Sequence, residues 1–240
     1  MNLWFIVSLI KKRNDVADVA WGLGFVVLAW ASFITTSSNS LISLITNCLV
    51  TIWGLRLAFH IYSRNKGKAE DYRYNKWRQD WGKWFYLRSY FQIYILQGIF
   101  LFLISLPVLF INNLPSSINI FSFVGFIVWL IGFYFEVVGD YQLSEFIKNP
   151  NNKGKLMTSG LWQYTRHPNY FGEVTQWWSI FIIALSVHNG WISIIGPITI
   201  TFLILKVSGI PMLEKKMEKN PEFLDYKNKT SMFIPLPKRK

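Results

Sequence analysis

The chain has 240 residues, 52% of them hydrophobic and only 16% charged, with 25 lysines and arginines against 13 acids for a formal charge of +12. Soluble domains carry about a quarter charged residues, and here the apolar residues are gathered into blocks rather than dispersed at amphipathic spacing, which excludes a water-soluble globule. The basic surplus suits nucleic-acid binding or basic loops beside membrane spans, and the placement of the charges decides between them.

An apolar stub, Leu3 to Ile10, precedes Lys11, Lys12 and Arg13. A secretory signal carries its charges ahead of the apolar region, so this order argues against one, and the stub reads as the end of a shortened first span. Runs near twenty residues follow at Val16 to Ile34, Leu41 to Tyr62, Phe91 to Ile111 and Ile120 to Val138, then a shorter block at Val174 to Val187 and a last run at Trp191 to Ile210. The expectation is an all-α, multi-pass transmembrane helical bundle of about six to seven spans, forming one integral-membrane domain over residues 1–240. The single cysteine, Cys48, lies inside an apolar block, so neither a disulfide framework nor a cysteine-rich metal site is expected.

The connections alternate in charge. Thr35 to Ser40, Asn112 to Asn119 and His188 to Gly190 contain no Lys, Arg, Asp or Glu, whereas the alternate connections hold nearly all of them. The positive-inside rule then places the loops at 63–90 and 139–173 and the tail at 211–240 on the cytoplasmic side. Topology accounts for the charge surplus, and no nucleic-acid partner is expected. Within the first of these loops Trp77, Trp81 and Trp84 recur at helical spacing, with Arg73, Lys76, Arg78 and Lys83 between them. This segment predicts a helix lying in the membrane interface, as an anchor or as a wall of a binding cavity. The two halves carry no matching Gly/Pro-interrupted spans, which argues against a transporter.

Polar residues concentrate between Gly160 and Trp178, just before an apolar block. Pro168 suits the first position of a helix entering the membrane. The free N–H groups and dipole of such an end favour an anion, and Arg166 and His167 add donors beside it, so a phosphate fits. Asn169, Tyr170 and Glu173 project to adjoining parts of one helix face. A carboxylate and an amide there are costly without partners, which are either a ligand or neighbouring helices. Arg56 and His60 share a face of the second long block, with Arg56 about two turns inside the membrane unless it snorkels outward. Glu136 and Asp140 are also four apart and could answer those cations, or form a solvated helix end. The run Glu70 to Tyr74 joins acids, phenols and a guanidinium, in a site or in a wet loop. Gly22-Leu-Gly24 sits within an apolar span and reads as close helix packing, not as a dinucleotide fingerprint.

Several of these segments together resemble the domain of unknown function 1295, a family grouped with the C-terminal region of steroid 5-alpha-reductases. They are Asp18 to Gly22, Trp53-Gly-Leu-Arg56, Arg64-Asn65, Glu70 to Tyr74, Gly160 to Glu173, Ser208-Gly-Ile-Pro211 and Thr230 to Pro235. The resemblance spans most of the chain. Membrane sterol reductases carry an Arg-His-x-Asn-Tyr-x-Gly-acid pattern at their NADPH site, which Arg166, His167, Asn169, Tyr170, Gly172 and Glu173 match. Isoprenylcysteine and phospholipid methyltransferases carry a related Arg-His-Pro-x-Tyr-x-Gly pattern that helps bind S-adenosylmethionine, matched here through Pro168.

The resemblance therefore implies NADPH-dependent reduction of a carbon–carbon double bond in a steroid-like or other lipid substrate at the cytoplasmic side of the membrane. Arg166 is expected to hold phosphate, Asn169 the carboxamide or ribose, and Glu173 a ribose hydroxyl or the Tyr170 phenol. Asp140, Arg56 and Arg73 complete the expected cofactor set, and Tyr170 or His167 is the expected proton donor. No metal is expected, and the partners are the lipid substrate and membrane lipids. The alternatives are a methyltransferase using S-adenosylmethionine and a non-enzymatic lipid-binding protein. Phosphates call for cations and a helix amino end, as on this basic face, whereas a sulfonium prefers carboxylates and aromatic rings.

Overall fold

The computed structural model describes residues 1–36, 40–115, 117–218 and 220–239. The middle of the Thr35–Ser40 connection and the last residue of the tail therefore lie outside the described residues. The protein is all-helical, and among the described residues there is no strand. Among the described residues five helical segments are long and apolar enough to cross a bilayer: Val16–Thr35, Leu41–Asn65, Arg73–Ile104, Ile120–Lys148 and Gly190–Met217. The chain divides into two compact units, residues 1–118 with 186–193, and residues 119–185 with 194–240.

In the first unit, α1 (Asn2–Lys11) ends where Lys12 turns left-handed at φ 54°. The long helices α2 (Val16–Thr35) and α3 (Leu41–Asn65) follow, the latter started by a reciprocal Ser40–Ser43 capping box. They touch backbone to backbone at Gly22 and Gly54, where a Cβ on either glycine would run into the other's carbonyl. Gly22 thus has the close-packing role its setting predicts. Asn112 Nδ2 donates to Ser32 Oγ (2.6 Å), and Asn47 Nδ2 donates to Asn112 Oδ1 (2.8 Å). Inside an apolar slab such amides need partners, and these bonds stitch α2 and α3 to the segment that carries Asn112.

The segment expected to lie in the interface forms the helix α4 (Tyr72–Trp81), capped by the Asp71 carboxylate on the Arg73 N–H. Gly82, at φ 48°, bends the chain into a short 3-10 turn and then α5 (Phe85–Ser89). A π-helical stretch at Tyr90–Ile95 leads into α6 (Leu96–Ile104). Trp77 and Trp81 stack at 5.3 Å and pack on a core of Ala17, Tyr74, Ile93 and Tyr94, while Trp84 stays exposed. The apolar run expected to continue to Ile111 breaks at Ser105. Pro107 has no N–H and its ring opposes the carbonyl four residues back, so a new helix, α7 (Leu106–Asn113), begins beside it.

The second unit is built on α8 (Ile120–Lys148) and α9 (Pro168–Ala184). Asn119 caps α8 on the Phe121 and Ser122 N–H groups. The helix runs a further ten residues past the apolar block that ended the prediction at Val138, because backbone hydrogen bonding continues where membrane character stops. Helix α9 starts at Pro168 as expected, and the Val174–Val187 block forms its body as far as Ala184, the last three residues lying beyond the helix. The last long segment carries α10 (Ile195–Phe202), a π turn at Leu203–Val207, and α11 (Ile210–Met217) with Pro211 in its first turn. Helix α12 (Glu222–Lys229) and an extended tail close the chain.

Candidate functional site

The start of α9 is where the second unit gathers its buried polar groups. Thr165, Arg166 and His167 form the approach to Pro168 and are all buried. Nε of Arg166 donates to Glu214 Oε1 at 2.8 Å, and Nη1 donates to the carbonyls of Thr230 (2.6 Å) and Lys227 (3.0 Å). Those carbonyls lie at the C-terminal end of α12, where helix carbonyls lack intrahelical partners and the dipole favours a cation. The guanidinium therefore clasps the tail first. Among the described residues no acceptor meets its Nη2.

His167 Nε2 lies 3.2 Å from the same Glu214 Oε1. An ionised carboxylate only accepts, so Nε2 must carry the ring proton. Burial holds the His167 pKa below the ordinary 6.5, and Glu214 offsets this only in part, so the ring is neutral. The Tyr170 ring stacks on it, with centroids 5.8 Å apart.

The same segment fastens the tail. The Arg166 N–H donates to Ser231 O (2.9 Å) and Thr165 Oγ1 to Phe233 O (2.8 Å), while Leu236 N–H donates to Tyr164 O (3.0 Å). Tyr226 donates its phenol proton to the Trp162 carbonyl, and burial pushes that phenol well above its usual range, so it stays a donor.

Deeper along α9, Asn169 Nδ2 donates to Asp140 Oδ1 at 3.0 Å while its own Oδ1 accepts the Tyr170 N–H. Gln176 Nε2 donates to Glu136 Oε2, one turn before Asp140 on α8. The two acids of α8 thus face amides of α9, and neither forms a solvated helix end: Glu136 and Asp140 are both buried. Glu173 is half-buried on α9.

Of the expected cofactor set, Asp140, Arg166, Asn169 and Glu173, with His167 and Tyr170, belong to the second unit. Arg56 and Arg73 belong to the first. Arg56 lies half-buried on α3. Arg73 bonds Asp71 through Nε (3.0 Å) and reaches Asp18 Oδ2 (3.4 Å), while the Tyr74 phenol donates to Asp18 Oδ1 at 3.1 Å. The Glu70–Tyr74 run is therefore a docked element. Glu70 accepts from the Asn14 N–H (2.6 Å) and from Arg78 (3.2 Å), and Asn14 Nδ2 donates to Ser89 Oγ.

Sequence reasoning did not single out Glu214 or Gln176 among the buried polar groups of the second unit, nor the pairing of Asp18 with Tyr74 in the first. Glu214 sits beside Lys215 and Lys216 in a charged stretch that reads as solvated, and only its place four residues after Ile210 on an amphipathic turn hints at burial. Asp18 carried a signal, as an acid at the start of an apolar span.

The family model described as "Protein of unknown function (DUF1295)" matches residues 4–230. The chain is similar to an uncharacterized protein of Schizosaccharomyces pombe, 25% identical over 221 residues, which cover 78% of this chain and 61% of that one. It is 44% identical over 52 residues to a probable O-methyltransferase of Ustilaginoidea virens, 22% of this chain and 18% of that one. It is also 25% identical over 114 residues to the 3-oxo-5-alpha-steroid 4-dehydrogenase 1 of Rattus norvegicus, 46% of this chain and 40% of that one. The chain thus spans less than two thirds of each of these relatives. No solved structure matches.

Proposed function

The chain belongs to the DUF1295 family, and from that membership we propose that it is an integral-membrane oxidoreductase that uses NADPH to reduce a carbon–carbon double bond of a lipid, at the cytoplasmic end of its bundle. The observation that carries this reading is the Asn169–Asp140 pair at the start of α9, with Glu173 one turn on. It joins an amide, two acids and a helix amino end where the resemblance to sterol reductases expects the nucleotide. The steroid dehydrogenases similar to this chain support the same reaction class.

The residues fit the cofactor in kind. Asp140 and Glu173 suit ribose hydroxyls, Asn169 suits a carboxamide or hydroxyl, and the Nη2 edge of Arg166 with the N-terminus of α9 suits a phosphate. Bound NADPH supplies the hydride. Tyr170 is kept as the proton donor to the substrate carbonyl, because the ring proton of His167 is engaged by Glu214. The Asp140 bond orients the Asn169 amide, and the neutral His167 ring backs the Tyr170 phenol.

A second reading, methyl transfer from S-adenosylmethionine to a lipid, is favoured by the short but more identical match to the O-methyltransferase and by the acids facing α9. Titration of the detergent-purified protein with each nucleotide separates the two. Saturable NADPH binding, with NADPH oxidation on adding a 3-oxo-Δ4 steroid or another enone lipid, supports the reductase. Preference for S-adenosylmethionine installs the second reading, and binding of neither removes both. Glu173→Gln is the informative control, since Arg166→Ala would also release the tail.

A further inference from the structure

We infer that Glu214 is a positioning residue: its carboxylate keeps the ring proton of His167 on Nε2 and so presents the Nδ1 lone pair to a hydroxyl or N–H donor of the bound nucleotide. The inference rests on the reading of the α9 N-terminus as a nucleotide site and names an atom of recognition within it. The donor is of a kind NADPH and S-adenosylmethionine share, a ribose hydroxyl or an amide or amine N–H.

The geometry gives the argument in steps. Arg166 is always cationic and its Nε donates to Glu214 Oε1, so Glu214 is a carboxylate and can only accept. The same oxygen lies 3.2 Å from His167 Nε2, so that nitrogen is the donor. A second full cation beside the Arg166 guanidinium, sharing one oxygen with it, would be repelled, which keeps the imidazole neutral. A neutral ring with its proton on Nε2 has a bare lone pair on Nδ1. Among the described residues no group donates to that atom, although His167 is only 1% exposed. A lone pair with no protein donor is left to water or to a ligand, and a ligand hydroxyl or N–H would satisfy it.

Glu214 also ties the two recognition groups together. One oxygen sets both the rotation of the guanidinium, which turns Nη1 to the tail carbonyls, and the orientation of the imidazole. Loss of the carboxylate therefore changes which nitrogen of His167 is an acceptor, and not only whether the tail stays docked.

The test uses the full-length protein in lipid nanodiscs with 15N-labelled histidine, and His167→Gln identifies the signal of this ring among the three histidines. The expected spectrum at neutral pH shows a neutral ring protonated on Nε2, and NADPH or S-adenosylmethionine shifts Nδ1 while leaving Nε2 protonated. In Glu214→Gln, whose amide both donates and accepts, the ring shows both tautomers, and nucleotide affinity falls roughly tenfold. Glu214→Asp, retaining a carboxylate, restores the single tautomer, and protease resistance of the tail shows that each variant is folded. A ring protonated on Nδ1 in the wild type overturns the inference. So does saturable nucleotide binding with no change at Nδ1, which leaves the nucleotide site itself standing. If neither nucleotide binds while the Nε2–H tautomer is seen, the nucleotide reading fails and the ligand half of the inference falls with it.

Discussion

Nη1 of Arg166 donates to the Thr230 carbonyl at 2.6 Å, which makes the cation at the entrance of α9 the clasp of the C-terminal tail as well. Charge repulsion alone would drive a basic tail away from an arginine. The end of α12 reverses the sign locally, because its unpaired carbonyls carry the negative end of the helix dipole.

Arg166→Lys should therefore weaken the tail before it abolishes anything else. A lysine keeps the charge but cannot serve Glu214 and two carbonyls in the planar geometry of a guanidinium. Each charge-assisted hydrogen bond lost in this way costs about 1.5–3 kcal/mol. Limited proteolysis should cut the variant after residue 217 much faster than the wild type; equal rates would show that the clasp does not hold the tail.

Acid should destabilise the protein through His167. Its folded-state pKa lies below the ordinary 6.5, because burial penalises the cation more than Glu214 rewards it. The unfolded chain then takes up this proton at higher pH than the folded one, so stability falls as pH drops below 6.5 and levels off beneath the folded-state value. Denaturation curves of wild type and His167→Gln should diverge in that window, with the variant flatter, and parallel curves would refute the assignment.

Asp140→Asn preserves an acceptor for the Asn169 amide and removes the negative charge. The melting temperature should change little, by the equivalent of about 1 kcal/mol or less. If Asp140 meets the cofactor, the Kd for NADPH should rise at least several-fold in the same preparation. Unchanged affinity would return Asp140 to a helix-packing role.

Gly54→Ala tests the contact between α2 and α3. The added Cβ would stand 2.6 Å from the Gly22 carbonyl, a backbone atom that cannot swing aside. Overpacking costs about 1–3 kcal/mol where side chains can yield, and here the helices themselves must part. A clear fall in melting temperature is expected, with Gly98→Ala, which would meet only the Met1 side chain, as the mild control.

Much of this protein was legible in its sequence because membrane folding is governed by long apolar runs. A stretch of some twenty mostly apolar residues must satisfy its backbone internally, so Val16–Thr35, Leu41–Asn65 and Ile120–Lys148 are helices whatever surrounds them. Pro168 fixed the start of α9 for an equally local reason, the missing N–H of its ring. The clustering of Arg166, His167 and Asn169 was visible because those residues are neighbours in the chain.

What tertiary structure alone decided is which charges meet. Glu214 lies 48 residues from Arg166 and follows a helix break, and only its spacing from Ile210 sets it apart from its lysine-rich surroundings. Asp18 and Tyr74 are 56 residues apart and pair because α4 folds back on the start of α2. Hydrophobicity sums along a chain and can be read there, whereas an ion pair depends on two side chains brought within hydrogen-bond range, a distance set by packing and not by sequence separation.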